Sequence, residues 1–452
     1  MNKLETRTAF SLSAVFAVRM LGLFMILPIL PLFAKELGHA TPFLIGLTIG
    51  IYGLTQAIFQ IPLGLLSDHI GRKPVIIGGL LVFAIGSMIA ALTNDIYITI
   101  LGRAVQGSGA IAATTMALAA DLTREDHRAK VMALIGMSIG IAFAAAMVIG
   151  PLISQWAGLS GVFWTTAALA LTGMLLILFA VPTPKQTRLH RDAGIIGDYI
   201  KPVLKQGTLL RMNASVFLLH LLMTANFSVL PLIFRDQLHL ATAEHWKIYL
   251  PVLLISFILS LPLIIIAEKY HKIKILFIIS VALLILSQVL FSTGSFSLYP
   301  LIFSFLLFFI GFNFLEAVQP SLVAKYSDVN TKGTAMGVYS TSQFFGIFVG
   351  GALGGLVLQN WGTSGVFIFG AITATILLMV AMSLPKPDYF KTQIIKLNDK
   401  YLDNVKHVKD VTQQLLTIKG VHQAAISVDE GIAYLKIDKQ ALNDQELARF
   451  ES

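Results

Sequence analysis

A chain of 452 residues that is 56% hydrophobic and only 13% charged, with a mean hydropathy of +0.78, is not an ordinary soluble protein. It has no cysteine, which excludes disulfides, thiolate metal sites and cysteine nucleophiles together. Its net charge of +9 comes from bases that flank hydrophobic runs rather than forming one basic domain, which argues against nucleic acid as a partner.

Windows of about 20 apolar residues recur along the chain, each long enough to cross a bilayer as a helix. They predict twelve spans, near 9–33, 43–66, 74–92, 96–120, 131–156, 161–181, 212–234, 248–267, 274–293, 297–324, 334–358 and 363–384. The runs are apolar all round, unlike the alternating strands of a membrane barrel. The first is too long for a signal-peptide core and lacks a small-residue cleavage pattern, so it reads as a retained span. An even number of spans puts both termini on one side, and lysine and arginine decide which. Connections on that side hold Lys3, Arg7, Arg72, Lys73, Arg124, Arg128, Lys130, Lys269, Lys272, Lys274, Lys325 and Lys332, and a basic linker with Lys185, Arg188 and Arg191. Opposite connections hold only Lys35, Arg235 and Lys247. Both termini are therefore expected in the cytoplasm of a cell whose inner membrane carries the protein.

Charges inside spans are costly, about 2.5–3.5 kcal/mol each on the lenient insertion scale, so each is expected to face a cavity or a partner. The first span carries Arg19. The second carries Tyr52, Gln56 and Gln60 at helical spacing, a candidate cavity row. Between the second and third spans stands Gly64-x-x-x-Asp68-x-x-Gly71-Arg72-Lys73. Asp68 and Arg72 are four apart, Gly71 signals a helix end, and the two bases are expected on the loop beside anionic headgroups. The fourth span carries Arg103, Gln106 and Gly107 and ends at Asp121. Arg103 with Gln106 suits a proton relay or a substrate-orienting site, with a structural brace as the rival.

The connection 183–211 is polar and basic, with Pro184 and Pro202, and divides a first bundle (1–182) from a second (212–384). "RAKVMALIGMSIGIAFAAAMVIGPL" (128–152) echoes "KGTAMGVYSTSQFFGIFVGGALGGL" (332–356), which points to duplication. Gly346, Gly350 and Gly354 form a small-residue face, with Gly136, Gly140 and Ala144 expected as its counterpart. The seventh span carries Asn213, His220 and Thr224. His220 is read as a titrating group or as a neutral, hydrogen-bonded imidazole. In the tenth, Asn313, Glu316 and Gln319 make one polar stripe. Desolvation favours the neutral form of an acid there, so Glu316 is poised to take and release a proton; a permanent ion pair with Arg19 or Arg103 is the alternative. Phe16, Phe227 and Phe312 are candidates for an apolar lining.

Past Leu384 a short linker leads to a polar segment, 391–452, read as β-α-β-β-α with a hairpin turn at Asp429-Glu430-Gly431. That order fits most of a ferredoxin-like unit. Without paired cysteines it is no soft-metal carrier, and a regulatory or docking role is expected, its partner unspecified.

Two six-helix halves with the Gly64–Lys73 pattern between helices two and three resemble the major facilitator superfamily. Arg103-x-x-Gln106-Gly107 is similar to a pattern of its proton-driven drug-exporter branch. Gly150-Pro151 resembles part of the antiporter motif, but Leu152-Ile153-Ser154 follow where that motif has two glycines. His69 stands where the loop pattern prefers a base. The resemblance implies the all-α major facilitator fold and proton-coupled efflux of small molecules; no cofactor is expected, and the chain is read as a monomer. It also implies a latch in which Asp68 faces the N-terminus of helix eleven near Thr334 and Arg72 pairs with Asp121. Simple positive-inside topology is the alternative reading of Arg72 and Lys73.

Three functions follow: drug:proton antiport, proton symport of a sugar or organic acid, and a membrane ligand sensor signalling through the C-terminal module. No G-x-x-x-x-G-K-S/T loop supports an ATP-driven pump, and no nucleophile–base or metal constellation supports an enzyme.

Overall fold

The computed structural model describes residues 1–33, 36–183, 194–294, 297–328, 330–387, 390–398, 405–428, 431–438 and 441–450. Lys35, Pro184, Lys185, Arg188, Arg191 and the Asp429–Glu430 turn lie outside the described residues. The membrane part runs through α1 (Lys3–Phe24), α2 (Pro42–Ile70), α3 (Arg72–Ala91), α4 (Ile96–Ser108), α5 (Ala112–Asp121), α6 (Glu125–Leu175), α7 (Gly197–Lys205), α8 (Gly207–Phe227), α9 (Leu230–Asp236), α10 (Trp246–Lys269), α11 (Ile273–Ser292), α12 (Leu298–Tyr326) and α13 (Lys332–Ser383). Nine helical segments among the described residues are long and apolar enough to cross a membrane.

Two of these elements each hold two of the expected spans. A straight helix of the 51 residues of α6 would be about 75 Å long, far beyond a bilayer. It breaks at Gly158 (φ +62°, ψ −164°), and α13 breaks likewise at Gly362 (φ +68°, ψ −167°). Both reverse direction there. Gly150 and Thr166, on either side of the first break, meet Met25 and Gly22 of the α1 end. Gly350 and Gly370, on either side of the second, meet Leu221 and Leu222 of α8. The two glycines are separated by the same spacing that relates Arg128 to Lys332, so the repeat extends into backbone geometry. This region of φ/ψ is essentially reserved for glycine. Gly362→Ala is therefore expected to cost about 1–3 kcal/mol, read by thermal unfolding in detergent. An unchanged melting curve would contradict the strain.

Several expectations are corrected. The span 96–120 is two helices, α4 and α5, broken around Gly109, where α3 runs so close that a side chain would overlap the Gly79 carbonyl. The span 212–234 is α8 followed by α9, with Pro231, which has no N–H to continue the helix, in the first turn of α9. The linker 183–211 is not all loop, since α7 and the start of α8 lie within it. Gly136 and Gly140 face outward with open space around them. The face equivalent to Gly346, Gly350 and Gly354 is Ala142, Ala146 and Gly150, because equal positions in the repeat share a helix face.

Gly346, Gly350 and Gly354 pack within the second half, on Phe217, Leu221 and Ala225 of α8. A neighbouring face of α13 closes the seam between halves: Gly46 and Gly50 of α2 lie backbone to backbone against Gly351 and Phe348, and a Cβ at Gly50 would stand 2.6 Å from the Phe348 carbonyl. At the other end of the seam, Ile195 of the linker is wedged between Gly64 of α2 and Gly337 of α13.

The C-terminal segment is a three-stranded antiparallel sheet ordered β1-β3-β2, from β1 (Lys391–Lys396), β2 (Val421–Ser427) and β3 (Ile432–Ile437). Lys391 faces Ile437 on one side of β3 and Val421 faces Ile437 on the other. α14 (Val405–Thr417) and the short α15 (Asp444–Leu447) complete the expected order β-α-β-β-α. Leu415, Ile426, Leu435 and Leu447 share its core. Lys436 Nζ donates to the carbonyls of Lys325 (2.9 Å) and Ser327 (2.5 Å), placing a cation at the C-terminal end of α12.

Candidate functional site

At the end of the bundle that carries the basic connections, α2 stops at Gly71 (φ +96°) and α3 begins at once with Arg72. Arg72 is thus drawn into the protein, its side chain 2% exposed, and not left on a loop as expected. Its Nε donates to Asp121 Oδ2 at 3.2 Å, its Nη1 donates to Ser67 Oγ at 2.7 Å, and the same guanidinium forms an ion pair with Asp68. The Asp121 carboxylate is fully enclosed. Lys73 is half-buried beside this cluster. Thr334, at the start of α13, is engaged by the linker: its hydroxyl accepts from Ile196 N at 3.0 Å. Asp68 is turned toward Arg72 and not hydrogen-bonded to that first turn. A second lock, absent from the sequence reading, joins Glu5 to Arg124 through Nε (2.8 Å), Nη2 (3.2 Å) and N (3.2 Å). Asn2 and Glu5 also close a capping box on α1, a pattern legible in Asn2-x-x-Glu5.

Deeper in the first half, Arg19 lies on the predicted polar row of α2. Its Nη2 donates to Tyr52 Oη (2.9 Å), Gln56 Oε1 (2.9 Å) and the Gly109 carbonyl (3.3 Å), the last freed by the break after α4. Gln56 Nε2 donates onward to Gln60 Oε1 at 3.2 Å. Arg103 spans three helices: Nη1 donates to Gln106 Oε1 (2.6 Å), Nε to the Thr48 carbonyl (3.3 Å), and Gln106 Nε2 to Ser87 Oγ (2.6 Å). Its guanidinium sits 5.0 Å from the centre of the Tyr52 ring. Both arginines are 1% exposed, and among the described residues neither has a carboxylate partner. Arg103 therefore has the geometry of a brace, with uncharged acceptors on every side.

In the second half, Glu316 does not reach Arg19 or Arg103. It meets His220 of α8, with Oε2 3.6 Å from Nε2, and Oε1 accepts from Gln343 Nε2 at 3.3 Å. Gln343 Nε2 also lies 2.7 Å from His220 Nε2, and His220 Nδ1 lies 3.1 Å from the Val216 carbonyl. Gln343 was missed in the sequence, where it closes the uncharged polar run Ser340-Thr341-Ser342-Gln343. The stripe Asn313, Glu316 and Gln319 fans out, since a three-residue step falls about 60° short of a full turn. Asn313 Nδ2 donates to Ser256 Oγ (3.1 Å) on α10, whereas Gln319 Nε2 donates to Ser215 Oγ (3.0 Å) and its Oε1 accepts from Tyr339 Oη (3.2 Å). Phe312 stacks on Phe308 and lies edge-on to His220, and Phe227 joins Phe143, Phe309 and Tyr249 in an aromatic cluster. Phe16 stays in the core of the first half.

A family model described as Major Facilitator Superfamily matches residues 12–324 and 212–411. The chain is 45% identical over 443 residues to the inner membrane transport protein YajR of Escherichia coli (strain K12), covering 98% of this chain and 96% of that protein. A class B tetracycline resistance protein of Escherichia coli is 29% identical over 181 residues, 39% of this chain and 44% of its own. A solved bacterial homolog of the human lysosomal transporter Spinster, inward-facing and occupied, matches with a TM-score of 0.70 and 11% identity over 84% of this chain and 96% of that one. At that identity it speaks for the fold alone. The chain belongs to the Major Facilitator Superfamily, a family of transporters and not of enzymes, and is a secondary transporter similar to YajR along nearly its whole length.

Proposed function

We propose that the protein exports small lipophilic compounds across the bacterial inner membrane in exchange for protons, by alternating access between residues 1–182 and 212–384. Twelve spans follow if α4 with α5, and α8 with α9, each make one crossing and α6 and α13 two. Both termini are then cytoplasmic, and the terminal module is a ferredoxin-like unit lacking its last strand.

The observation that carries this reading is the Glu316–His220–Gln343 cluster. A neutral imidazole protonated on Nδ1 donates to the Val216 carbonyl and leaves Nε2 to accept from Gln343; this tautomer is inferred from the network. A proton on Nε2 removes that acceptor and turns the ring toward the Glu316 carboxylate. Two proton-binding groups with one exchangeable neutral partner suit a carrier that must load and release a proton. Arg19 and Arg103 supply fixed positive charge in the opposite half, and Tyr52, Gln56, Gln60, Gln106, Asn313 and Gln319 supply neutral hydrogen bonds within the two halves. Gly64, Asp68, Gly71, Arg72, Lys73 and Asp121 form the cytoplasmic latch, with the Ile195–Ile196 wedge between α2 and α13 as part of it. Partial similarity to a tetracycline resistance protein supports a drug-like compound as the cargo.

In everted vesicles holding a pH gradient, an exported compound should discharge the gradient. Compound and protons moving in the same direction would replace antiport by symport. Lys436 gives the terminal module a grip on the end of α12. Truncation after Leu384 is expected to leave exchange in place. Loss of all flux would make the module part of the machinery.

A further inference from the structure

We propose that the exported compound carries an anionic group, and that Arg19 is the residue that binds it. The inference rests on the exporter reading above and adds the charge of the cargo.

The charges of the first half are one-sided. Its acids, Glu5, Glu36, Asp68, Asp95, Asp121, Glu125 and Asp126, all stand at helix ends or in connections, and no acid lies deep in a span. Two arginines do. Arg103 has acceptors for Nε and Nη1 and an aromatic face beneath it. Arg19 is held only through Nη2, by three neutral oxygens, while its Nε and Nη1 are buried with no hydrogen-bond acceptor. The Phe83 ring, 5.5 Å from its centre, is its other support. The broken end of α4 at Gly109 offsets part of the charge, since a helix C-terminus is partly negative. A guanidinium this deep still lacks the counter-charge that a buried ion requires.

The position fits a cargo site. Tyr52, which accepts from Arg19, meets Phe344 of the opposite half edge-on across the seam, with ring centres 6.4 Å apart. Arg19 is therefore one side chain away from the surface that opens when the halves part. Guanidinium donors match carboxylate and other oxyanions, whereas a cationic cargo meets two like charges and no acid in this half.

The energetics differ by class. One anion out for one proton in moves two charges, so the membrane potential drives the exchange along with the pH gradient. A singly charged cation exchanged for one proton moves none.

The test uses the purified full chain in liposomes with an acidic interior and three probes on one ring: naphthalene-1-carboxylate, naphthalene-1-carboxamide and naphthalene-1-methylammonium. The carboxylate should accumulate, and an inside-positive potential of about 60 mV should multiply the accumulation ratio set by the pH gradient by up to about 100-fold, as two moving charges require. Arg19→Gln should raise the KM for the carboxylate at least tenfold, and Arg19→Lys should recover part of that. If the variants do not fold, the selectivity and potential dependence of the unaltered protein decide alone. Accumulation of the ammonium probe with the carboxylate ignored overturns the proposal and leaves the exporter standing. Carboxylate uptake indifferent to potential, or to Arg19→Gln, overturns it as well. If no probe of any charge moves with the pH gradient, the exporter reading falls and the inference with it.

Discussion

Glu316→Gln is expected to reduce substrate-driven discharge of a pH gradient to the level of vesicles without the protein. Glu316 is the one acid deep within a span, and it lies against the only histidine and glutamine that share its cluster among the described residues. Glutamine keeps the shape and can still bond the Gln343 amide, but it has no proton to exchange. Its side chain is 41% exposed, so the fold should be unaffected within about 0.5 kcal/mol. Substrate binding, followed by thermal shift in detergent, should persist while flux is lost. Unimpaired exchange would remove Glu316 from the mechanism.

Arg72→Ala is expected to be the most destabilising single change at the end of the bundle that carries the basic connections. It leaves the enclosed Asp121 carboxylate and the mostly buried Asp68 without their shared cation. Breaking a buried pair in this way typically costs about 3–5 kcal/mol, more than removing both partners. Asp68→Asn should be milder, because Arg72 keeps Asp121 and Ser67. Its effect should appear as a larger population open at this end, measured by distances between labelled helix ends beside Arg72. A melting curve for Arg72→Ala within a degree of the unaltered protein would return this cluster to a topology signal.

Much of this is legible in the sequence. Span positions follow from hydropathy, which depends on the solvent the helices cross and is local in sequence. Gly71 ending α2 and the Arg72–Asp121 pair were likewise readable, the first from glycine chemistry and the second only through family resemblance. The break in α4 was not, because it depends on the close approach of α3 at Gly79. The two reversals at Gly158 and Gly362 fall in the gaps between the expected spans 131–156 and 161–181 and between 334–358 and 363–384, so hydropathy marks them as well. Glu316 was recognised as special, but its partners lie on α8 and α13, far away in sequence. Neutral residues such as Gln343 carry no charge to advertise them. Arg19 showed the reverse: its cost was plain in the sequence, while its lack of a counter-ion needed the packed structure.

Two halves that part and rejoin along α2 and α13 are the centre of this account. Phe43 N donates to Gln359 Oε1 across the seam at the end opposite the Arg72–Asp121 pair, at 3.3 Å. Phe43→Cys with Gln359→Cys, in a chain that otherwise has no cysteine, lets a short thiol cross-linker tie that end shut. The linked protein should lose solute flux and regain it when a cleavable linker is cut. Full flux with the link demonstrably in place would contradict the account.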